Sequence, residues 1–336
     1  MSKTLRLLST TALALAAGLV IASAARAEET VGLITKTNDN PFFVKMKQGA
    51  QAAAKEKGIK LLTFAGKFDT DNDTQVQAIE NLIAAGAKGI LITPANSKAI
   101  VPSIEKARKA GLLVIALDTP LDPANSADAT FATDNFKAGL NIGKWALATL
   151  GDKAKTARIG MLDINKDNIT VDVLRDTGFL TGFGIEVPNG KINGSEKDSR
   201  VIGHESSMGN PENGQKSVEN LLAKDPGMNV IYTINEPAAE GGYKALKSAG
   251  KAGNVLIVSV DGGCPGVRNV KAGVIGATSM QFPLLMASKG VEAVSEFIKT
   301  GKKPTDIDTG VKLVTDHPVE GLPSITSEEG LKLCWG

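Results

Sequence analysis

Six polar residues each follow a short apolar run that reads as a β-strand: Asn40, Asp118, Asp134, Asn235, Asp261 and Gln281. A parallel sheet lines such positions along one edge, where open α/β folds receive their ligands. Amides both donate and accept hydrogen bonds, and a carboxylate accepts from two neighbouring hydroxyls. The set therefore suits a neutral, polyhydroxylated small molecule. Taken singly, each residue serves equally well as a helix cap or Asx-turn former. Phe42 and Phe43 offer flat apolar rings for the C–H faces of such a molecule. Consecutive helix residues diverge, so one ring is expected to face the ligand and the other to be partly buried. Arg175 carries five donors, with a surface pair to Asp172 or Asp176 as the equal alternative.

Known catalytic signatures are missing: there is no G-x-G-x-x-G, Walker loop, H-E-x-x-H or G-x-S-x-G. The reading is binding without catalysis, and no catalytic residue is assigned. A glycosidase needs only two acids placed in space and stays as the less favoured alternative. No cofactor and no metal site are expected; Cys264, Cys334, His204 and His317 are too few and too scattered for zinc. His204 falls in a polar stretch with no nucleophile near it.

The elements that must position these residues alternate. Strands are expected at 31–35, 61–65, 89–93, 113–117 and 131–133, then at 158–162, 230–233, 255–260, 275–280 and 311–315. Helical spacing such as Val76, Ile79, Leu82, Ile83 lies between them, stopped by Gly58, Gly86 and Gly111. In the stretch 31–43, Asn40 suits an N-cap and Pro41 the first helical position. Helices are expected to start near Ile169, Gly214, Ala238, Pro265 and Pro283. Residues 188–213 read as a long surface excursion. Repeated βα units predict parallel sheets covered on both faces, and a chain this long predicts two α/β lobes.

The first 27 residues read as a secretory signal peptide, with Lys3 and Arg6 before an apolar run and Ala25-Arg-Ala27 as the cleavage site. The mature protein is expected to be exported to the periplasm. Loss of Lys3, Arg6 and Arg26 takes 38 basic residues to 35 against 36 acidic ones, about −1 in place of +2. That balance excludes a basic footprint for nucleic acid. Two cysteines in an oxidising compartment point to one disulfide, Cys264–Cys334.

Asn-Pro-Phe-Phe (40–43), Ile-Thr-Pro-Ala-Asn-Ser (92–97), Leu-Asp-Thr (117–119), Thr-Asp-Asn (133–135), Arg-Asp-Thr-Gly-Phe (175–179), Asn-Glu (235–236), Val-Asp-Gly (260–262) and Gln-Phe-Pro (281–283) form an ordered set. In it the chain resembles type I periplasmic sugar-binding proteins of ABC importers, in the ribose/fructose cluster, and looks most like the fructose-import members. The resemblance implies two similar Rossmann-like lobes with parallel sheets, joined by a hinge of three crossings near 133–135, 281–282 and 305–310. Lobe I would be 28–133 plus 282–308, and lobe II 134–281 plus 309–336. Sugar contacts would be Asn40, Phe42, Phe43, Asp118, Arg175, Asn235, Asp261 and Gln281, with Lys36, Thr119, Asp134 and Asn168 as further candidates. The implied partners are a monosaccharide and a membrane permease, for a monomeric protein. Ribose binders carry Arg at 119, Phe at 260, another Phe within 207–209 and a small hydroxyl residue at 36. Here these are Thr119, Val260, Ser-Met-Gly and Lys36. Loss of that bulk predicts a pocket larger than a pentose needs, hence fructose, with ribose or mannose, and a chemotactic role, as alternatives.

Overall fold

The computed structural model describes residues 29–336, so the signal peptide expected at 1–27 lies outside the described residues. The first half alternates β1 (Thr30–Thr35), α1 (Pro41–Lys57), β2 (Lys60–Ala65), α2 (Asn72–Ala84), β3 (Gly89–Ile92), α3 (Val101–Lys109), β4 (Leu113–Leu117) and β5 (Ala129–Ala132). The second continues with α4 (Asn135–Leu150), β6 (Ile159–Asp163), α5 (Thr170–Gly182), β7 (Val201–Ser206), α6 (Pro211–Lys224), β8 (Val230–Thr233), α7 (Glu236–Ser248), β9 (Leu256–Asp261), α8 (Cys264–Lys271) and β10 (Ala277–Met280). The chain ends with α9 (Pro283–Thr300), β11 (Ile307–Asp308), β12 (Lys312–Val314) and α10 (Ser327–Gly330).

These strands build two six-stranded sheets, ordered β11-β5-β4-β3-β1-β2 and β12-β10-β9-β8-β6-β7. Every pairing is parallel except β10 with β12. The chain passes between the sheets after β5, after β10 and after β11, which are the three crossings of the hinge.

Apolar runs such as Gly-Ile-Leu-Ile and Leu-Val-Ile-Ala-Leu are buried throughout, because helices cover both faces. Alternation divides them. Leu33, Leu91 and Ile115 pack with Met46 of α1 and Met286 of α9, whereas Ile34, Ile90 and Val114 pack with Ile79, Leu82 and Ile104 of α2 and α3. In the second sheet, Met161, Tyr232 and Val258 face Ile142 and Phe179 of α4 and α5. Leu162, Ile231 and Ile257 face Val218 and Leu246 of α6 and α7.

One expectation fails. The stretch 188–213 is not all excursion, since Val201–Ser206 forms edge strand β7 against β6. Its Val-Ile-Gly-His-Glu-Ser sequence hides the strand because only Ile202 is fully buried, and polar side chains fill the exposed edge. The tail is fastened by the Cys264–Cys334 disulfide and by the Cys264 amide donating to the Trp335 carbonyl at 2.8 Å.

Candidate functional site

The turns that leave β1, β2, β4, β6, β8 and β10 and the last residue of β9 converge with α1 and α5 on one cavity between the lobes. The lobe of the first sheet supplies Lys36, Asn40, Phe42, Phe43, Asp69 and Asp118. The lobe of the second supplies Ile164, Val171, Arg175, Ile234, Asn235, Asp261 and Gln281.

Local folding aims these groups. Asn40 caps α1, accepting from the Phe42 amide at 2.9 Å, and Asn235 caps α7, accepting from the Ala238 amide at 3.0 Å. Both therefore cap a helix and line the cavity at once. Asp118 and Asp261 sit at φ 61° and 146°, a region that disfavours side chains. Such strain concentrates where a ligand must be gripped.

Arg175 is buried and spans the lobes. It donates to Asn135 Oδ1 at 2.7 Å, to the Ile234 carbonyl at 3.0 Å and to Asp118 Oδ1 at 3.1 Å. The surface pair with Asp172 or Asp176 does not form. The first lobe also meets the start of α5, where Ser97 accepts from the Thr170 amide at 3.1 Å and the Thr170 hydroxyl donates to the Pro120 carbonyl. The Gln281 amide donates to Asp261 Oδ1 at 3.1 Å, while Gln281 Oε1 is buried without a donor. Two cations, three carboxylates and three amides thus surround a small volume walled by two phenyl rings, a set that can hold several hydroxyls at once.

The aromatic expectation needs correcting. Phe42 and Phe43 are both buried and both line the cavity, packed edge to face at 5.5 Å. Phe42 also meets the Trp335 ring edge-on at 5.5 Å, and Trp335 Nε1 donates to the Gln281 carbonyl at 2.8 Å. The disulfide therefore pins a tryptophan against the cavity wall.

Of the further candidates only Lys36 reaches the cavity. Thr119 is buried and spends its hydroxyl on Asp118 Oδ2 at 2.9 Å. Asp134 is exposed and caps α4 through the Lys137 amide. Asn168 accepts from the Asn193 amide at 2.8 Å. Val260 lies in the core under α4, and Met208 and Gly209 line the adjoining groove. Positions 119, 207–209 and 260 therefore form no part of the cavity wall, and the expected enlargement there is absent. Asp69 is a residue the sequence reading missed, although it follows strand 60–65 and fits the same edge rule.

Burial raises Asp69 to about 6 against the pull of Lys36. It likewise raises Asp261 to about 7, with Arg175 lowering it and Asp118 raising it. Behind them, burial and then Asp261 raise Glu236 to about 8, against donation from Thr278 Oγ1, Gly262 N and Gly263 N. Glu236 is thus higher folded than its ordinary 4.5. Its contribution to stability is whole below that ordinary value and is lost as pH rises through the folded one. The melting temperature of the ligand-free protein should fall between about pH 5 and about pH 8, and Glu236→Gln should flatten the fall. Calorimetric melting across that range reads the slope, and an unchanged slope in the variant would refute the assignment.

The pattern of the periplasmic binding protein domain matches residues 31–303. The chain is 32% identical over 301 residues to the ribose import binding protein RbsB of Haemophilus influenzae, covering 89% of this chain and 96% of that protein. It is 28% identical over 306 residues to the D-allose-binding periplasmic protein of Escherichia coli, covering 88% and 94%. Among solved structures, an ABC transporter periplasmic solute-binding protein from Actinobacillus succinogenes with bound D-allose superimposes with a TM-score of 0.71 at 26% identity, covering 86% of this chain and 98% of that one.

Proposed function

The chain belongs to the periplasmic binding protein family, and from that premise we propose that it captures a monosaccharide between its lobes and delivers it to the permease of an ABC importer. The observation that carries this reading is the convergence of Asn40, Asp118, Arg175, Asn235, Asp261 and Gln281 beside Phe42 and Phe43 in one interlobe cavity. Sugar hydroxyls would replace the contacts these groups now make with one another and supply the donor that Gln281 Oε1 lacks. The lobes, 28–133 plus 282–308 and 134–281 plus 309–336, would close about the three crossings, with Arg175 and Asp118 meeting across the cleft. The place of action is the periplasm, and among the described residues no helix is long and apolar enough to cross a membrane.

Fructose is the ligand we put first, on the ordered motifs from Asn40 to Pro283. Ribose and allose stand second, because relatives of this chain carry those sugars in their names. Lys36 is the feature that bears on the choice, since it adds a buried ammonium to the cavity. Calorimetric titration of the mature protein against fructose, ribose, allose, mannose, glucose and galactose tests both levels. A micromolar constant, about −8 kcal/mol, is expected for one of them. Binding of another sugar in place of fructose removes the fructose assignment, and no binding by any of the six removes the function.

A further inference from the structure

A second polar cluster lies inside the lobe of the second sheet, beneath the sugar cavity. The register makes it: Tyr232 and His204 both pair with Met161, so the three share a face, and Asp163 follows on that face two residues along β6. Asp172 and Asp176 stand one turn apart on α5, which covers this face, and Glu196 and Asn193 come from the excursion before β7. His204 is held between two carboxylates, with Nδ1 2.8 Å from Asp163 Oδ2 and Nε2 2.8 Å from Glu196 Oε1. Both ring nitrogens thus face carboxylate acceptors, so both donate and the ring is an imidazolium. One positive charge therefore meets four carboxyl groups, Asp163, Asp172, Asp176 and Glu196, and burial followed by the nearby Asp163 pushes Asp172 and Asp176 well above the ordinary carboxylate range.

The oxygens left over are the telling feature. Asp163 Oδ1, Asp172 Oδ1, Asp176 Oδ1, Glu196 Oε2 and Asn193 Oδ1 are buried and receive no hydrogen bond from the protein. The Tyr232 hydroxyl, on a fully buried side chain within the field of Asp176 and Asp172, is also without a partner. Isolated buried anions are too costly to keep without compensation.

We propose that this cluster binds a hard divalent cation of the calcium class between Asp163 and Asp176, with the unpartnered oxygens of Asp172 and Asn193 extending the oxygen set. One ligand atom each from Asp163, Asp176 and His204 lies within 4.8 Å of the others, a spacing that a single ion bridges. Both His204 nitrogens already face carboxylates, so the histidine orients Asp163 and Glu196 and leaves the ion an all-oxygen environment. Such a set favours calcium, which takes six to eight oxygens, over zinc. A divalent ion brings four carboxylates and one imidazolium to within about one charge of neutrality. It also ties α5, which carries Arg175, to β6 and to the excursion at 189–200.

The test uses the mature protein, stripped with EDTA and then titrated with calcium or magnesium chloride to about 5 mM, above the range of weak extracellular sites. Expected are one bound calcium per chain by equilibrium dialysis and elemental analysis, a melting temperature about 5 °C higher with calcium, and a smaller rise with magnesium. Asp176→Asn and Asp172→Asn should each lose the calcium-dependent rise, while Asp152→Asn, on an exposed turn, keeps it. The dialysis on the unaltered protein stands even if a variant fails to fold. Absence of stoichiometric calcium together with equal melting in EDTA and calcium overturns the proposal, leaving protons as the neutralising charge. An undiminished calcium response in Asp176→Asn overturns it as well.

Discussion

Arg175→Ala should lose sugar affinity by at least about a hundredfold, to the edge of detection in a calorimetric titration. Removing one member of a buried, hydrogen-bonded charge pair costs about 2–5 kcal/mol, much of it the penalty on the partner left behind. Here three partners are left behind: the Asp118 carboxylate, the Asn135 side-chain oxygen and the Ile234 carbonyl. Asp118 belongs to the opposite lobe, so the substitution also removes a contact that holds the cleft shut. Arg175→Lys separates the two contributions. A lysine keeps the charge and can still approach Asp118, but one ammonium cannot serve three acceptors fixed in the plane of a guanidinium. It should bind more weakly than the unaltered protein and more tightly than Arg175→Ala. Affinity within a factor of two of the unaltered protein in Arg175→Ala would remove this residue from the site.

A residue's position relative to a strand fixes its direction, and this brings most of the expected residues to one cavity. Asn40, Asp118, Asn235 and Gln281 follow strands, Asp261 ends one, and all five reach the cavity. Asp134 obeys the same rule yet stays exposed, because it follows β5, beside the short outer strand β11, where the chain leaves the first sheet for the second. Sequence position alone does not separate the middle of a sheet edge from its flank. Capping was no guide either way, since Asn40 and Asn235 cap helices and line the cavity as well. Trp335 was invisible for another reason: it reaches Phe42 only through a tail whose path is set by the disulfide. His204 was read as a loop residue because β7 has no continuous apolar run, and its two carboxylate neighbours lie 41 and 8 residues away. The comparison of positions 119, 207–209 and 260 with ribose binders failed differently. Those residues sit near cavity residues in the chain, but their side chains turn into the core, onto Asp118 or into the next groove.

Four glycines show a further signal that spacing alone carried unseen. Gly139 and Gly143 on α4, and Gly178 and Gly182 on α5, are each four residues apart and so fall on one helix face. The two faces press together, backbone to backbone. A Cβ at Gly139 would stand 2.0 Å from the Arg175 carbonyl oxygen, and one at Gly178 would stand 2.1 Å from the Phe136 oxygen. At Gly143 the Phe179 oxygen is 2.2 Å away, and at Gly182 the Leu140 oxygen is 2.4 Å away. None of these atoms is the end of a flexible side chain, so a methyl group can be admitted only by moving a helix.

Gly139→Ala should therefore destabilise the protein by about 3 kcal/mol, lowering its melting temperature by roughly 6–10 °C. Because the atom it strikes is the backbone of Arg175, it should also weaken sugar binding by about tenfold, an ångström of misplacement being enough to spoil a fixed set of hydrogen bonds. Gly143→Ala separates the two effects. It meets the Phe179 oxygen one turn further along α5, so it should cost similar stability while disturbing affinity less. Gly190→Ala is the neutral control, since a Cβ there meets only Thr177 Cγ2 at 3.6 Å. Scanning calorimetry and titration of the three variants give the comparison directly. A Gly139→Ala protein that melts within a degree of the unaltered one would show that the α4–α5 contact yields freely. Arg175 would then owe its position to its own three hydrogen bonds and not to the helix pair behind it.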